Sequence, residues 1–278
     1  MRSGHRGRSY RARAAVAAER GPSGRTRVTR LRSDGPLALR ETSAPGHGPR
    51  VVHLVGAAAG PLGGDDLELA VRVGAGAGLA VRSVATALAL PGDGESRMAV
   101  RAEVGAGGFL DFAPEPTVAA AGCRHRAAAR VDLAEGAALR WREELVLGRH
   151  GEPAGRHTGR LDVTAGGVPL LRHELRLDDP AVHGGRAVLA GARAVGCVLL
   201  AGPEFAAPAP EAARSAPGPA GRRARTGEGW AVLPLAGPGV LVTAVAADSA
   251  ELRRRLCAGE RAATGGRLSD MSLRSGTS

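Results

Sequence analysis

The stretch Leu67-Glu68-Leu69-Ala70-Val71-Arg72-Val73-Gly74-Ala75-Gly76 alternates apolar and polar residues, then closes on an aliphatic residue with a glycine three positions later. Alternation of period two is the pattern of a β-strand with one buried face. The closing motif recurs as Val104-Gly105-Ala106-Gly107, Leu133-Ala134-Glu135-Gly136 and Val163-Thr164-Ala165-Gly166, each time followed by a new strand-like run. Gly76, Gly107, Gly136 and Gly166 are therefore spaced by 31, 29 and 30 residues. A period near 30 predicts stacked units, each a pair of strands joined at a tight turn where glycine supplies positive φ. One such pair cannot bury its apolar face alone, so stacking builds the core. The expected fold is all-β, a β-helix-like (solenoid-like) stack; an antiparallel sandwich with evenly spaced hairpins is the alternative.

Outward from this repeat, Thr26 to Ser33, Arg124 to Leu133 and Leu170 to Leu177 also alternate as strands. Residues 202–225 are Ala/Pro-rich and read as a flexible excursion with one short helix near Glu211 to Ser215. Trp230 to Ala247 carries no charge over 18 residues. Its Pro234 and Gly237-Pro238-Gly239 break any continuous membrane helix, and its Val-rich halves suit two buried strands joined by a turn. Asp248 and Ser249 offer an N-cap for a terminal amphipathic helix over 249–263, the second of about two helices expected toward the C-terminal part. The organisation expected is a disordered Arg-rich tail (1–10), one β domain (11–263) and a frayed tail (264–278).

Composition narrows the function. The 278 residues hold 42 Gly and 18 Pro, below the share of a low-complexity chain, and 44% are hydrophobic, which supports a globular body. Lys, Asn, Gln and Ile are absent, as a GC-rich genome produces without any appeal to function. A Walker P-loop and a Schiff-base lysine are thereby excluded. Net charge is +11, yet residues 1–30 hold nine Arg against one acid, Glu19, so the body is nearly neutral. With six aromatic residues in all, stacking platforms for single-stranded nucleic acid or sugar are lacking. An RNA-binding protein would depend wholly on the Arg tail. Cys123, Cys197 and Cys257 form no CxxC pair and read as free thiols in a reducing, cytoplasmic compartment.

Motifs for chemistry fail their context tests. Gly60-Pro61-Leu62-Gly63-Gly64-Asp65-Asp66 precedes a strand, where a phosphate loop opens a helix. His150-Gly151-Glu152 has no PCxxC partner, and His173-Glu174 lies in a strand without a second His at helical spacing. Cys123 and His125, two apart, read as a buried thiol beside a solvated imidazole. Three stretches place carboxylates beside rigid turns: Gly63-Gly64-Asp65-Asp66, Ala113-Pro114-Glu115-Pro116-Thr117, and Glu143-Glu144 running through Arg149 to Glu152. Solvated turns, with an ordinary Arg–Glu pairing on a strand edge, are the plain expectation for them.

Taken in order, LVGAAAGPLGGDDLELAVRV (Leu54 to Val73), FLDFAPEPTVAAAGCR (Phe109 to Arg124) and LRWREELVLGRHGEPAGRHTGRLDV (Leu139 to Val163) resemble the urease accessory protein UreD family, called UreH in some species. The family pattern has a Pro-Ala-Gly-Gly-x-x-Gly-Gly-Asp loop, a Leu-Pro-x-Pro-Thr-Ile segment and a Glu-x-x-x-x-Gly-Arg-x-x-x-Gly-Glu segment. Resemblance runs from about Arg11 to about Ala263. It departs at Ser83-Val84-Ala85-Thr86-Ala87-Leu88-Ala89, where the family's Gln-Ala-Ala-Thr-Lys-Val-Tyr has a Lys and a Tyr.

The resemblance implies a non-catalytic scaffold required for maturation of the urease nickel metallocentre. Such a protein binds apo-urease and UreF, and through UreF the GTPase UreG. No cofactor would be held tightly; nickel would be in transit, with Asp65, Glu115, Glu144 and Glu152 as its transient path. Nucleic acid and membrane are not expected partners. The alternative from another class is a cytosolic β-solenoid enzyme acting on a carbohydrate, with Asp65, Glu115 or Glu144 as catalytic carboxylates.

Overall fold

The structure is a computed structural model and describes residues 9–42, 48–56, 60–206 and 223–265. The chain starts with the antiparallel pair β1 (Arg11–Arg20) and β2 (Thr26–Arg32), then a second pair, β3 (Leu37–Thr42) and β4 (Arg50–Gly56). The repeating coils follow: β5 (Asp66–Val73), β6 (Gly78–Ser83) and short β7 (Ala87–Ala89); β8 (Ser96–Val104), β9 (Phe109–Phe112) and short β10 (Thr117–Ala119); β11 (Arg124–Leu133) and long β12 (Ala138–Leu147). An antiparallel hairpin, β13 (Arg156–Ala165) and β14 (Val168–Leu177), closes the stack. After α1 (Pro180–His183) come β15 (Ala194–Ala201), β16 (Arg225–Gly227), β17 (Trp230–Pro234), β18 (Gly239–Ala246) and α2 (Ser249–Thr264).

Two sheets result. The first has seven strands in the order β14-β13-β11-β8-β5-β1-β2; the second runs β16-β17-β18-β15-β12-β9-β6-β4-β3. In the coils, β5, β8, β11 and β13 pair in parallel in the first sheet, while β6, β9 and β12 pair in parallel in the second. Short β7 and β10 form a third side, and β12 spans both sides, stacking on β9 through Ala138–Trp141 and on β10 through Leu145–Leu147. This is the solenoid-like all-β stack.

The unit itself differs from a hydrogen-bonded pair of strands. Gly76, Gly107 and Gly136 take φ of +60°, +63° and +70° at turns that carry the chain from one sheet to the other; only Gly166, at +57°, turns a hairpin. A tight turn between sheets lets successive strands pair with the next coil, in parallel, which a hairpin would forbid.

The alternating faces meet between the sheets, where Leu69, Leu79, Leu110, Leu139, Leu161 and Trp141 are fully buried. Phe112 stacks on Trp141 with ring centres 4.0 Å apart. A second cluster lies under α2, whose Leu252 and Leu256 pack near Val198, Val240 and Val242. Asp248 caps this helix, its Oδ1 accepting from the Glu251 amide at 2.7 Å. The uncharged Trp230 stretch forms the antiparallel strands β17 and β18. Among the described residues no helix is long and apolar enough to cross a membrane. Residues 1–8 and 266–278, most of both expected tails, and the expected helix near Glu211 to Ser215 lie outside the described residues.

Candidate functional site

Between the sheets lies a partly open cavity of about 650 Å³, lined from both sides by residues of successive coils from β3 to β14. The first sheet contributes Met98 and Val100 of β8, His125 and Ala127 of β11, His157 and Gly159 of β13, and His173 of β14. The second contributes Glu143 and Glu144 of β12, Cys197 of β15 and Thr243 of β18. Asp65 and Glu115 also reach its wall. Three of the four carboxylates singled out in sequence, Asp65, Glu115 and Glu144, thus converge on one space. Glu152 does not line it: its carboxylate pairs with Arg149 on the exposed turn after β12, and that guanidinium holds it below the usual carboxylate range.

The three converging groups differ in freedom. Asp65 is buried and accepts two backbone N–H bonds, from Tyr10 at 2.7 Å and Leu62 at 2.8 Å, so it fixes its own turn and the lead into β1. Beside it, a Cβ on Gly63 would lie 2.6 Å from the Gly92 nitrogen, and Gly64 has φ of +95°. Glu115, extended between Pro114 and Pro116, and Glu144 both accept from Arg253 of α2, at 3.0–3.2 Å. Arg142 Nε stands 3.0 Å from Glu144 Oε1 without a well-aligned hydrogen bond, so that pair is held by charge. The Arg–Glu pairing expected on a strand edge is in fact on β12, a central strand, and Glu144 has no exposed side-chain surface. Glu115 and Glu144 thus share one guanidinium.

Of the other cavity groups, sequence reasoning names Glu143 within its carboxylate stretch, Cys197 as a free thiol and His125 as a solvated imidazole, and misses His157. Glu143 is enclosed by protein with its remaining surface opening on the cavity; Trp141 Nε1 donates to it at 2.9 Å. Burial pushes its carboxyl upward, against that hydrogen bond. Cys197 stands directly opposite on β15, and burial together with the Glu143 charge raises its thiol well above the ordinary value. His125, expected to be solvated, is buried because β11 is an interior strand whose residue 125 points between the sheets. Burial lowers its imidazole to about 4 and that of His157 to about 3. Their rings lie 5.5 Å apart on adjacent parallel strands. Strand alternation carries a signal for the inward face: His125 shares its parity with Val131 and Leu133, and His157 with Leu161 and Val163, the buried faces of β11 and β13, but alternation leaves open which strand stacks on which. Among the described residues no three His, Cys, Asp or Glu side chains are placed to hold a metal ion.

Comparison with known proteins gives consistent matches. The family model described as UreD urease accessory protein matches residues 10–270. A urease accessory protein UreD of Frankia alni is 47% identical over 287 residues, covering 90% of this chain and 92% of that protein. One from a Parafrankia species is 48% identical, covering 89% and 87%. A third, from Streptomyces avermitilis, is 44% identical, covering 88% and 94%.

Proposed function

We propose that this chain, which belongs to the UreD family of urease accessory proteins, serves urease maturation as a non-catalytic scaffold. In this reading it docks apo-urease and UreF, holds UreG through UreF, and lets nickel pass through the space between its sheets. The observation that carries the proposal is the cavity itself: a partly open space between the two sheets, apolar for the most part, onto which the carboxylates Asp65, Glu115, Glu143 and Glu144 and the imidazoles of His125, His157 and His173 converge. Transit requires attraction enough to enter and too little to stay. A closed set of soft ligands would trap the ion, whereas single oxygen and nitrogen contacts along a wall hold it loosely.

The side chains divide the work. Asp65 and Glu144 hold the wall in shape through their amide and guanidinium partners. Glu115, about one-third exposed and bound by one guanidinium, can exchange Arg253 for an arriving cation at little structural expense. The test is co-expression with urease and its other accessory proteins. Glu115→Ala is expected to lower urease nickel content at least two-fold while a pull-down still recovers the complex. Full nickel loading by this variant overturns the path through Glu115, and full loading without the chain overturns the maturation role.

A further inference from the structure

We propose that His125 and His157 form a two-imidazole landing site for a divalent first-row transition-metal ion, on the wall of the cavity between the sheets. The proposal rests on the reading of that cavity as a cation passage. Four observations carry it. First, the rings are 5.5 Å apart. Two imidazoles sharing one ion at a near-tetrahedral angle, with metal–nitrogen bonds of about 2.1 Å, place their ring centres roughly 5 Å apart.

Second, His125 is oriented as a ligand. Its Nδ1 lies 2.9 Å from Ser96 Oγ, and Ser96 Oγ in turn lies 3.4 Å from the Arg124 carbonyl. With the hydroxyl donating to that carbonyl, Oγ accepts from Nδ1–H, which leaves the Nε2 lone pair for a metal. Third, His157 is buried with Nδ1 unpartnered, so no neighbour offsets its loss of water. Fourth, Gly159 keeps space beside it. Its φ is ordinary for a strand, but a Cβ there would sit 3.2 Å from His157 Nε2. A glycine inside a strand without a backbone reason marks a close approach.

Neutral imidazoles suit ions such as Ni²⁺, Co²⁺ and Zn²⁺ over Mg²⁺ or Ca²⁺. Their outer side is the less favourable approach for a cation, since the polar pocket behind them holds four Arg (Arg124, Arg126, Arg156, Arg176) against three carboxylates. The ion would therefore arrive from the cavity. With two protein ligands and water completing the shell, it is held weakly enough to leave.

Co²⁺ is the probe, titrated into the purified full-length chain, with the visible d–d absorption reporting nitrogen coordination. The wild-type chain is expected to give a saturable nitrogen-ligated spectrum. The double variant His125→Leu/His157→Leu, which swaps the pair for apolar residues, loses it, and affinity falls at least ten-fold. Ser96→Ala keeps both rings and releases the first from its orienting bond, so it weakens Co²⁺ roughly ten-fold or more. Wild-type spectrum and affinity in the double variant overturn the site, as does a wild-type chain giving only the spectrum of hydrated Co²⁺. The titration involves no urease, so its failure leaves the maturation role standing, and failure of that role leaves the titration result standing.

Discussion

Glu143 shows at the residue scale how one environment reverses a carboxylate's contribution. Burial raises its proton affinity, with Trp141 Nε1 donating to it and Cys197 opposite. Above the unfolded-state value of about 4.3 the unfolded chain releases this proton while the folded chain retains it, so stability falls as pH rises until the folded value is passed. Glu143→Gln keeps an acceptor for Trp141 and removes the titration. The variant is expected to melt higher at pH 7.5 by roughly 2–4 °C, the shift that about 1 kcal/mol produces in a chain of this size. At pH 4.5 the difference should shrink; an equal difference at both values refutes the mechanism. Asp65 matters as an acceptor, because its oxygens satisfy two amides. Asp65→Ala should destabilise by about 1–3 kcal/mol for each amide left buried without a partner. Urea unfolding measures this, and a loss below the error of the midpoint would remove the structural role assigned to Asp65.

Elements are held by charge as well as by apolar packing. Arg140 of β12 reaches α2 through a two-point bond to Glu260, at 2.8 and 3.0 Å, and also contacts Asp111 of β9 at 3.0 Å. Glu260 is 2% exposed, so the carboxylate end of the pair is dry and the guanidinium end mostly so. Arg253, two turns earlier, joins the same helix to Glu115 and Glu144. The helix that packs on β18 is thereby bonded to the cavity wall. Glu260→Ala leaves Arg140 one partner, and the expected cost is at the lower end of the about 3–5 kcal/mol that follows breaking a buried pair. Amide exchange should rise first in α2 and β18, while β5, β8 and β11 stay protected. A uniform rise across both sheets would show instead that the helix and the stack unfold as one unit.

For the whole molecule, edges and apolar surface frame its association. β2 and β14 end the first sheet and β3 and β16 the second, and Leu31, Val168 and Leu233 are exposed large apolar residues on edge or near-edge strands. Unpaired strand edges and exposed apolar groups favour association, and a partner that binds only the folded chain stabilises it. Co-expression with a UreF of the same organism should raise soluble yield several-fold; a monodisperse monomer with unchanged yield would count against UreF as that cover. The 30-residue spacing of Gly76, Gly107, Gly136 and Gly166, and the alternation of β5, β11 and β14, were legible because period and polarity are local properties that a strand imposes on its own residues. Local pattern was enough for an all-β stack, a terminal capped helix and the family motifs that carry Asp65, Glu115, Glu144 and Glu152. Three features came only with the packed fold: Gly76, Gly107 and Gly136 turn the chain between sheets, His157 lies beside His125, and Arg253 joins two carboxylates more than a hundred positions away. The reason is the same in each case. Pairing partners and burial depend on which coil stacks on which, a long-range choice made by the whole core and written in no single segment.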